Sequence, residues 1–302
     1  IMCLIQSFFL PWIIKDNLKH VDIFKTNQIR GGWVAVIAKW LLNKPLLSRC
    51  GHDYYWFAKN HKKKKLKLGI IKFLSYLTYF NSNRIHVATK EDSIFIQREF
   101  NLSNYNVYIQ PNWIDTEKFC ARNNTHQKNN TVLYVGRLTS QKNIPMLIQA
   151  INETNYSLDI IGTGEDELAL KTASSKFSDK IHFLGAISNE LLTKYYQQYP
   201  VYVICSNYEG NPKTLLEAMS CESGVIGTDV PGINSVIKHK KNGLLCLNSK
   251  NSLQSAIVHL MTNQKLREKL GKQARLDIHL NNSLKKYIQW EINSYKKILK
   301  II

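Results

Sequence analysis

The sequence has few acidic residues for its length. Its 302 residues include 22 Asp plus Glu against 41 Lys plus Arg, which gives a formal net charge of +19 at pH 7. Such a balance favours anionic partners, namely phosphorylated ligands, anionic lipid or nucleic acid. A solvated, lysine-rich surface would produce the same balance, so charge alone leaves these alternatives open.

Paired cysteines and long apolar runs are missing as well. None of the six cysteines forms a Cys-x-x-Cys pair, so we expect small core residues of a reducing compartment rather than a disulfide framework or a metal site. No apolar span reaches the roughly 18 residues that a transmembrane helix needs. Residues 1–14 do not predict a signal peptide. Because the first residue is Ile rather than Met, we expect the natural chain to begin earlier.

Short apolar runs alternate with stretches of helical spacing in the second half of the chain. This alternation indicates βα units and a parallel sheet that is covered on both faces. The predicted strands are 132–135, 158–161, 181–184, 201–205, 224–228 and 244–247, and the predicted helices are 144–152, 165–176, 189–198, 212–220, 251–271 and 284–300.

The first half shows a looser version of the same pattern. Its predicted strands are 20–27, 44–50 and 84–89, with helices at 33–42 and 67–80. The Asn-rich run 121–131 has no periodicity and predicts a linker. We therefore expect an α/β protein with two domains. The predicted division is an amino-terminal domain at 1–120, the linker at 121–131, a second domain at 132–285 and a closing helix at 286–302.

One stretch, 206–220, combines two carboxylates with the start of a helix. Asn211 is a favourable N-cap and Pro212 suits the first helical position. The amides that follow, with the helix dipole, form a site for phosphate, and Gly210 allows a ligand to approach closely. These amides belong to Lys213, Thr214 and Leu215.

The two carboxylates belong to Glu209, before this helix, and Glu217, within it. Ionised carboxylates only accept hydrogen bonds, so they suit hydroxyl groups on either side of a phosphate. A ligand with hydroxyls, a diphosphate and further hydroxyls is a nucleotide sugar. The alternative is that both residues are solvated surface charges.

A second segment places cations beside a strand end. After the predicted strand 132–135 come Gly136, Arg137 and then Lys142, which precedes a helix. Ligands bind at the carboxyl ends of strands in doubly wound sheets, and Arg and Lys both bind phosphate. Surface cations are the alternative. The turn with Gly162 and Gly164 is weaker evidence, because it lacks the full dinucleotide-binding fingerprint.

These motifs together resemble glycosyltransferase family 4, the glycosyl transferases of group 1. The resemblance covers about 20–271 and includes Gly-Arg-Leu at 136–138, Phe-Leu-Gly at 183–185 and Glu-Gly-Asn-Pro-x-x-Leu-Leu-Glu-Ala-Met at 209–219. Residues 111–119 and 230–246 also match, although Ser235 stands where the family has Glu. The resemblance implies the GT-B fold of two Rossmann-like domains. The chain starts near the middle of the first one, so we expect that domain to be incomplete.

The resemblance implies retaining transfer of a hexose from a nucleotide diphosphate sugar, UDP-linked rather than GDP-linked, to a glycan or lipid-linked acceptor. It implies no bound metal and no cofactor beyond the donor substrate, and the chain has no Asp-x-Asp motif. In the family pattern Arg137 and Lys142 contact the diphosphate. Glu217 holds the ribose hydroxyls and Glu209 faces the sugar, with the backbone at Asn211, Lys213 and Thr214 close to the sugar and phosphates.

The family's first-domain histidine best matches His52, which follows the predicted strand 44–50. We therefore count His52 with Glu209 as a catalytic candidate and the adjacent Asp53 as its substitute. A lone histidine is also often structural.

The stretch 59–80 mixes seven lysines with large apolar residues. A basic segment beside an amphipathic helix fits an anionic membrane surface, and we expect a cytoplasmic protein that is peripheral at the inner face of a membrane. A solvated basic helix face is the alternative. No nucleic-acid recognition motif accompanies the charge, so we do not expect nucleic acid as a partner. The alternatives for the whole chain are a nucleotide-sugar-binding remnant without turnover, or a basic membrane-surface or nucleic-acid-binding α/β protein.

Overall fold

The chain folds into two α/β units in the computed structural model. The first unit comprises Ile1–Pro111 with Tyr287–Ile302, and the second comprises Asn112–Lys286. The structure describes residues 2–51, 53–60, 64–102, 106–121 and 128–300.

The first unit contains a four-stranded parallel sheet in the order β1-β2-β3-β4. Its strands are β1 (Phe24–Thr26), β2 (Leu46–Cys50), β3 (Arg84–Val87) and β4 (Val107–Ile109). Its helices are α1 (Met2–Ile13), α2 (Lys15–Leu18), α3 (Gly32–Leu42), α4 (Tyr54–Asn60), α5 (Lys65–Phe80) and α6 (Lys90–Glu99).

The second unit contains a six-stranded parallel sheet in the order β10-β9-β8-β5-β6-β7. Its strands are β5 (Thr131–Val135), β6 (Ser157–Ile161), β7 (Ile181–Gly185), β8 (Val201–Ile204), β9 (Gly224–Thr228) and β10 (Leu244–Cys246). Its helices are α7 (Ile144–Asn152), α8 (Glu167–Ser174), α9 (Asn189–Gln198), α10 (Lys213–Ser220), α11 (Lys250–Thr262) and α12 (Gln264–Asn282), and α13 (Leu284–Leu299) follows them.

Strand β5 shows why this sheet is covered on both faces. Val132 and Tyr134 belong to one buried apolar cluster, whereas Leu133 and Val135 belong to another. Alternate residues of a strand point to opposite faces, so each cluster lies on its own side of the sheet. The strand order also reverses between β5 and β8, and ligands of doubly wound sheets bind at the carboxyl ends of strands at such a point.

The helix predicted at 251–271 is two helices in the structure. Helix α11 ends at Thr262, and the side chain of Asn263 accepts a hydrogen bond from the Leu266 amide, which caps α12. A local capping bond thus interrupts a periodic apolar pattern that continues through it.

The boundary between the units also differs from the predicted linker at 121–131. The second unit begins at Asn112, because Ile114 and Phe119 are buried in one of its apolar clusters. The Ile114 amide donates to the Asn282 carbonyl at 2.8 Å. Residues 122–127 of the predicted linker lie outside the described part of the chain.

The closing helix α13 packs on the sheet of the first unit. One face of that sheet carries two cations and a histidine whose pKa burial lowers to about 3, and α13 supplies a carboxylate and aromatic rings to them. The pairs are Lys25 with Glu291, Arg49 with Tyr287, and His86 with Trp290.

Two strand-end turns of the second unit are in close contact through glycine. Gly162 has a φ of +137°, and a Cβ atom placed on it would lie 1.8 Å from the Gly136 carbonyl oxygen. No side chain fits there, so Gly162 is required for the position of the turn that carries Arg137.

Substitution of Gly162 by Ala should lower the free energy of unfolding by about 2–4 kcal/mol, because it adds a backbone clash to an unfavourable φ. Urea denaturation followed by circular dichroism measures this. In the matched control, Gly69→Ala in α5, the added Cβ meets no atom within 4 Å. That control should be neutral or stabilise by about 0.5–1 kcal/mol. Unchanged stability of Gly162→Ala would contradict the contact between the turns.

Candidate functional site

The amino end of α10 lies directly after the loop that follows β8. The structure corrects the predicted cap: Pro212, in an extended conformation, is the N-cap residue, and α10 begins at Lys213. No side chain of the described residues caps this helix end. The intrahelical ladder starts with the Leu216 amide, which donates to the Pro212 carbonyl. The amides of Lys213, Thr214 and Leu215 therefore precede the ladder and suit an anionic ligand.

Asn211 has a different role from the predicted one. Its Oδ1 atom accepts from the Asn112 amide at 2.8 Å, and Asn112 Nδ2 donates to the Asn211 carbonyl at 2.6 Å. The buried Asn211 thus fixes the segment around Asn112 next to the amino end of α10 instead of closing that end.

Lys142 and Glu209 meet although they are 67 positions apart in sequence. Lys142 Nζ forms an ion pair with Glu209 Oε1, and Ser206 Oγ donates to the same oxygen at 2.6 Å. The side chains of Lys142 and Glu209 are only 15% and 8% exposed. The structure therefore brings together one predicted cation and one predicted carboxylate in front of α10.

The backbone of this loop is held from both sides. Gln141 Nε2 donates to the Tyr208 carbonyl, and the Asn207 amide donates to the Gln141 carbonyl, each at 2.9 Å. On the other side Gly232, with a φ of +84°, packs so closely that a Cβ atom would lie 2.3 Å from the Glu209 carbonyl oxygen. Ser235, which stands in the family's Glu position, donates its hydroxyl to the Gly232 carbonyl at 2.9 Å.

Arg137 is exposed and follows Gly136 at the end of β5. Its carbonyl accepts from the Tyr134 hydroxyl at 3.2 Å, which fixes the backbone of the turn. Within the described ranges its guanidinium makes no hydrogen bond or ion pair. Because β5 and β8 are neighbours in the sheet, this cation lies at the same sheet edge as the loop with Glu209.

Glu217 is buried on the inner side of α10. Its Oε2 atom accepts from the Tyr196 hydroxyl at 3.0 Å. Burial raises the pKa of Glu217, and the bond from Tyr196 and the charges of Lys213 and Lys118 oppose that rise. The carboxylate is held in one position, as a group that recognises hydroxyls must be.

The first turn of α10 is fixed by aromatic side chains. Tyr202 donates its hydroxyl to Thr214 Oγ1 at 2.9 Å, and Leu215 is buried in an apolar cluster. Lys213 Nζ lies 4.4 Å from the ring centroid of Trp113. Thr214 and Leu215 would therefore offer a ligand their amides rather than their side chains.

The two catalytic candidates of the first unit are His52 and its substitute Asp53. His52 lies outside the described residues. Asp53 is not available as its substitute: it is buried, its Oδ1 accepts from the Trp56 amide at 2.7 Å, and its Oδ2 accepts from the Tyr79 hydroxyl at 2.6 Å. Asp53 is a structural residue at the start of α4.

Three residues that hold the candidate site residues in place were not predicted from the sequence. Tyr196, Tyr202 and Asn112 hold Glu217, Thr214 and Asn211 respectively. Each lies on another element, and in sequence the tyrosines have the spacing of ordinary core residues. Only the motif around Asn112, at 111–119, gave a signal.

Comparison with known proteins gives one family and several relatives. Residues 115–277 match the family described as "Glycosyl transferases group 1". The O-antigen biosynthesis glycosyltransferase WbnH of Escherichia coli is 35% identical over 247 residues, which cover 82% of this chain and 68% of the relative. A Campylobacter jejuni enzyme named as an N-acetylgalactosamine-N,N'-diacetylbacillosaminyl-diphospho-undecaprenol 4-alpha-N-acetylgalactosaminyltransferase is 26% identical over 256 residues, with the same coverage of 82% and 68%.

Other relatives are longer than the matched part. An uncharacterized glycosyltransferase of Haemophilus influenzae is 26% identical over 210 residues, which cover 67% of this chain and 58% of the relative. One from Methanocaldococcus jannaschii is 28% identical over 195 residues, which cover 62% of this chain and 50% of the relative. The chain thus spans about half the length of these relatives.

Solved structures share the fold. The sucrose-phosphate synthase of Thermosynechococcus elongatus superposes with a TM-score of 0.83 at 20% identity, covering 93% of this chain and 74% of that one. Anabaena HepE in complex with UDP gives a TM-score of 0.81 at 15% identity, covering 95% and 82%. These likenesses confirm the expected GT-B fold with its two α/β units.

Replacing Glu217 by Gln should stabilise the protein at neutral pH. Burial raises the pKa of Glu217 above its usual 4.5, so the folded protein binds the proton more tightly than the unfolded chain does. The stability that this tighter proton binding adds is fully present below the usual pKa of the unfolded chain. It is lost as the pH rises through the raised pKa of the folded protein. The neutral amide avoids the loss, so Glu217→Gln should exceed the wild type in unfolding free energy at about pH 7 but match it at about pH 4.

Urea denaturation at both pH values measures this difference. The exposed Glu117, which lies in a turn outside the helices, provides the control, because Glu117→Gln should differ little from the wild type in unfolding free energy. A Glu217→Gln protein that is less stable than the wild type at neutral pH would show that the ionised carboxylate is stabilised where it lies.

Proposed function

We propose, from the premise that this chain belongs to the glycosyl transferases of group 1, that it transfers a hexose from a nucleotide diphosphate sugar to a glycan or lipid-linked acceptor. The observation that carries the proposal is the ion pair of Lys142 and Glu209 just before the amino end of α10, which no side chain in the described part of the chain caps. It combines the phosphate-binding and hydroxyl-binding groups that such a donor requires.

The diphosphate would lie against the first amides of α10. These amides and the positive end of the helix dipole suit an anion, and Arg137 and Lys142 add two positive charges. Transfer breaks the bond between the anomeric carbon and the phosphate oxygen, so negative charge develops on the departing diphosphate. Preorganised donors at that point stabilise the transition state, which is where electrostatic catalysis acts.

The two carboxylates would bind hydroxyls on either side of the diphosphate. Tyr196 uses part of the acceptor capacity of Glu217, and the remainder suits the ribose hydroxyls. Glu209 would face the hexose. Lys142 pairs with Glu209, and a bound diphosphate would share that ammonium and leave Glu209 able to accept from the sugar.

The finer points of the proposal come from the relatives and the motif resemblance. HepE is described in complex with UDP, and the Campylobacter enzyme is named for a diphospho-undecaprenol substrate. We extend these to a UDP-linked donor and a lipid-linked acceptor in polysaccharide synthesis, with retained anomeric configuration. His52 is proposed as a further catalytic residue. We also propose that no metal is required, because Arg137, Lys142 and the helix amides can stabilise the leaving group.

A screen of nucleotide sugars tests this function. Saturable binding followed by transfer to a membrane extract, with EDTA present, would support it. Binding without transfer or hydrolysis would instead support a protein that only holds nucleotide sugars. If no nucleotide or nucleotide sugar binds, the proposal fails.

Replacing Lys142 by Ala should weaken UDP binding about 10–150-fold, because it removes a charged hydrogen bond worth about 1.5–3 kcal/mol. Isothermal titration calorimetry measures the affinity. Lys171→Ala is the matched control, since Lys171 pairs with Glu167 on the exposed face of α8. Equal affinities of Lys142→Ala and the control would remove Lys142 from the donor site.

Substitutions of the two glutamates should differ in their effects on UDP affinity and on kcat. Glu217→Gln should lower UDP affinity by roughly 10-fold, since it weakens a carboxylate acceptor of the ribose hydroxyls. Glu209→Gln should leave UDP affinity within about 3-fold of the wild type while kcat falls by about 100-fold. Calorimetry with UDP and initial rates with the donor sugar give the two values. The reverse pattern would exchange the roles of the two residues.

A further inference from the structure

Helix α5 exposes a row of large apolar side chains to solvent. They repeat every three or four residues along one side of the helix, while the opposite side, with Ile71, Ser75, Thr78 and Tyr79, is buried. An ordinary amphipathic surface helix would carry polar side chains where this row lies. The exposed row consists of Leu66 (81% exposed), Ile70 (50%), Phe73 (62%) and Phe80 (49%).

Helix α3 packs closely on the buried side of α5. Gly32 of α3 lies so close to α5 that a Cβ atom on it would be 2.4 Å from Thr78 Cγ2. Ile71 and Tyr79 are buried on this same side, so α5 already supplies apolar side chains to the core. The exposed apolar row is additional to them and is not a part of the core.

An aromatic pair and an indole continue the exposed row at the carboxyl end of α5. Tyr76 and Phe80 stack with ring centroids 5.5 Å apart. Trp40 of α3 is 57% exposed, and its Nε1 atom donates to Asn81 Oδ1 at 3.1 Å, which places the indole beside the end of α5. Rings with an apolar body and a polar edge suit the interface between lipid and water.

Lysines surround the other end of the row. Lys64 is the N-cap residue of α5, and Lys65 and Lys67 lie in its first turn, all of them exposed. Cations at this position oppose the helix dipole and cost stability. The sequence from 59 to 72 contains seven lysines and no Asp or Glu, although Lys59 and Lys72 pair with Glu99 of α6. The exposed lysines at the start of α5 are therefore the charges that an anionic partner would contact.

We propose that the outer face of α5 together with Trp40, here called the docking face, binds the surface of an anionic lipid bilayer. The lysines would contact headgroup phosphates, and the apolar row would enter the interfacial region. The spacing of the row would also suit a second copy of the helix. Charge favours the bilayer, because a second copy would bring together two chains of net charge +19.

This inference does not depend on the proposed function, because it uses no donor-site residue. UDP binding by the same preparations therefore serves as a separate readout. Loss of bilayer binding with UDP binding retained would concern the docking face alone.

Liposome flotation tests the proposal on the full chain. Vesicles of phosphatidylcholine are compared with vesicles of equal parts phosphatidylcholine and phosphatidylglycerol. We expect the protein to float with the anionic vesicles and to stay behind with the neutral ones, and added salt should weaken the binding. Equal recovery from both vesicles, or no flotation, would overturn the proposal.

Two variants test the two parts of the docking face. Removing the cations in Lys64→Gln/Lys65→Gln/Lys67→Gln should weaken partitioning on the order of 100-fold, since each lysine near an anionic surface contributes about 5-fold. Phe73→Ser should weaken it about 10-fold or more through lost apolar burial. Flotation of both variants at the wild-type level would overturn the proposal.

Controls of equal composition lie in the second unit. Lys265→Gln/Lys269→Gln/Lys272→Gln removes the same charge from exposed positions of α12, and Leu168→Ser removes an apolar side chain that is 79% exposed on α8. Both should float as the wild type does. If the control triple loses as much binding as the α5 triple, net charge rather than the docking face is responsible. A dimer in light scattering that Phe73→Ser abolishes would assign the face to a second copy and overturn the proposal.

Discussion

The amino end of α10, where three amides precede the helical hydrogen bonds, is the feature on which the candidate site depends. Unpaired amides at a helix start are costly unless a side chain, water or ligand satisfies them, and no described side chain does so here. Asn211, the natural capping residue, is used instead to fix the Asn112 segment. The loops around the helix end are held in place by hydrogen bonds and by close glycine contacts.

The two carboxylates beside that helix end lower the stability of the fold, and the apolar packing of the second unit offsets this loss. Glu217 is buried, and the hydroxyl of Tyr196 satisfies one of its oxygens. Glu209 is paired with Lys142 and receives the Ser206 hydroxyl. Buried polar groups of this kind fix positions better than they stabilise the fold, and such a compromise between stability and function is common at binding sites. The apolar clusters on both faces of the sheet supply the stability that permits it.

In the first unit, two helices make tertiary contacts that their own sequences do not predict. Helix α5 packs on α3 through the close contact of Gly32 with Thr78, and a row of large apolar side chains on its other side is exposed. The closing helix α13 packs on the sheet of this unit through charged and aromatic pairs, although it follows the second unit in sequence. Both helices thus make tertiary contacts that the spacing of their apolar residues does not specify.

The sequence by itself determined the strands of the second unit and the residue types of its site, because buried parallel strands are continuous apolar runs and the motifs are local. Gly162 was only weak evidence for a ligand site. The structure shows why a glycine stands there, because the turn has no room for a side chain. Only the tertiary structure decided that Pro212 caps α10, that Asp53 is a buried structural residue, that Asn263 divides the last long helix of the second unit, and that Tyr196 holds Glu217. Except for the cap at Asn263, these depend on which groups meet across distant parts of the chain, and linear spacing carries no information about such meetings.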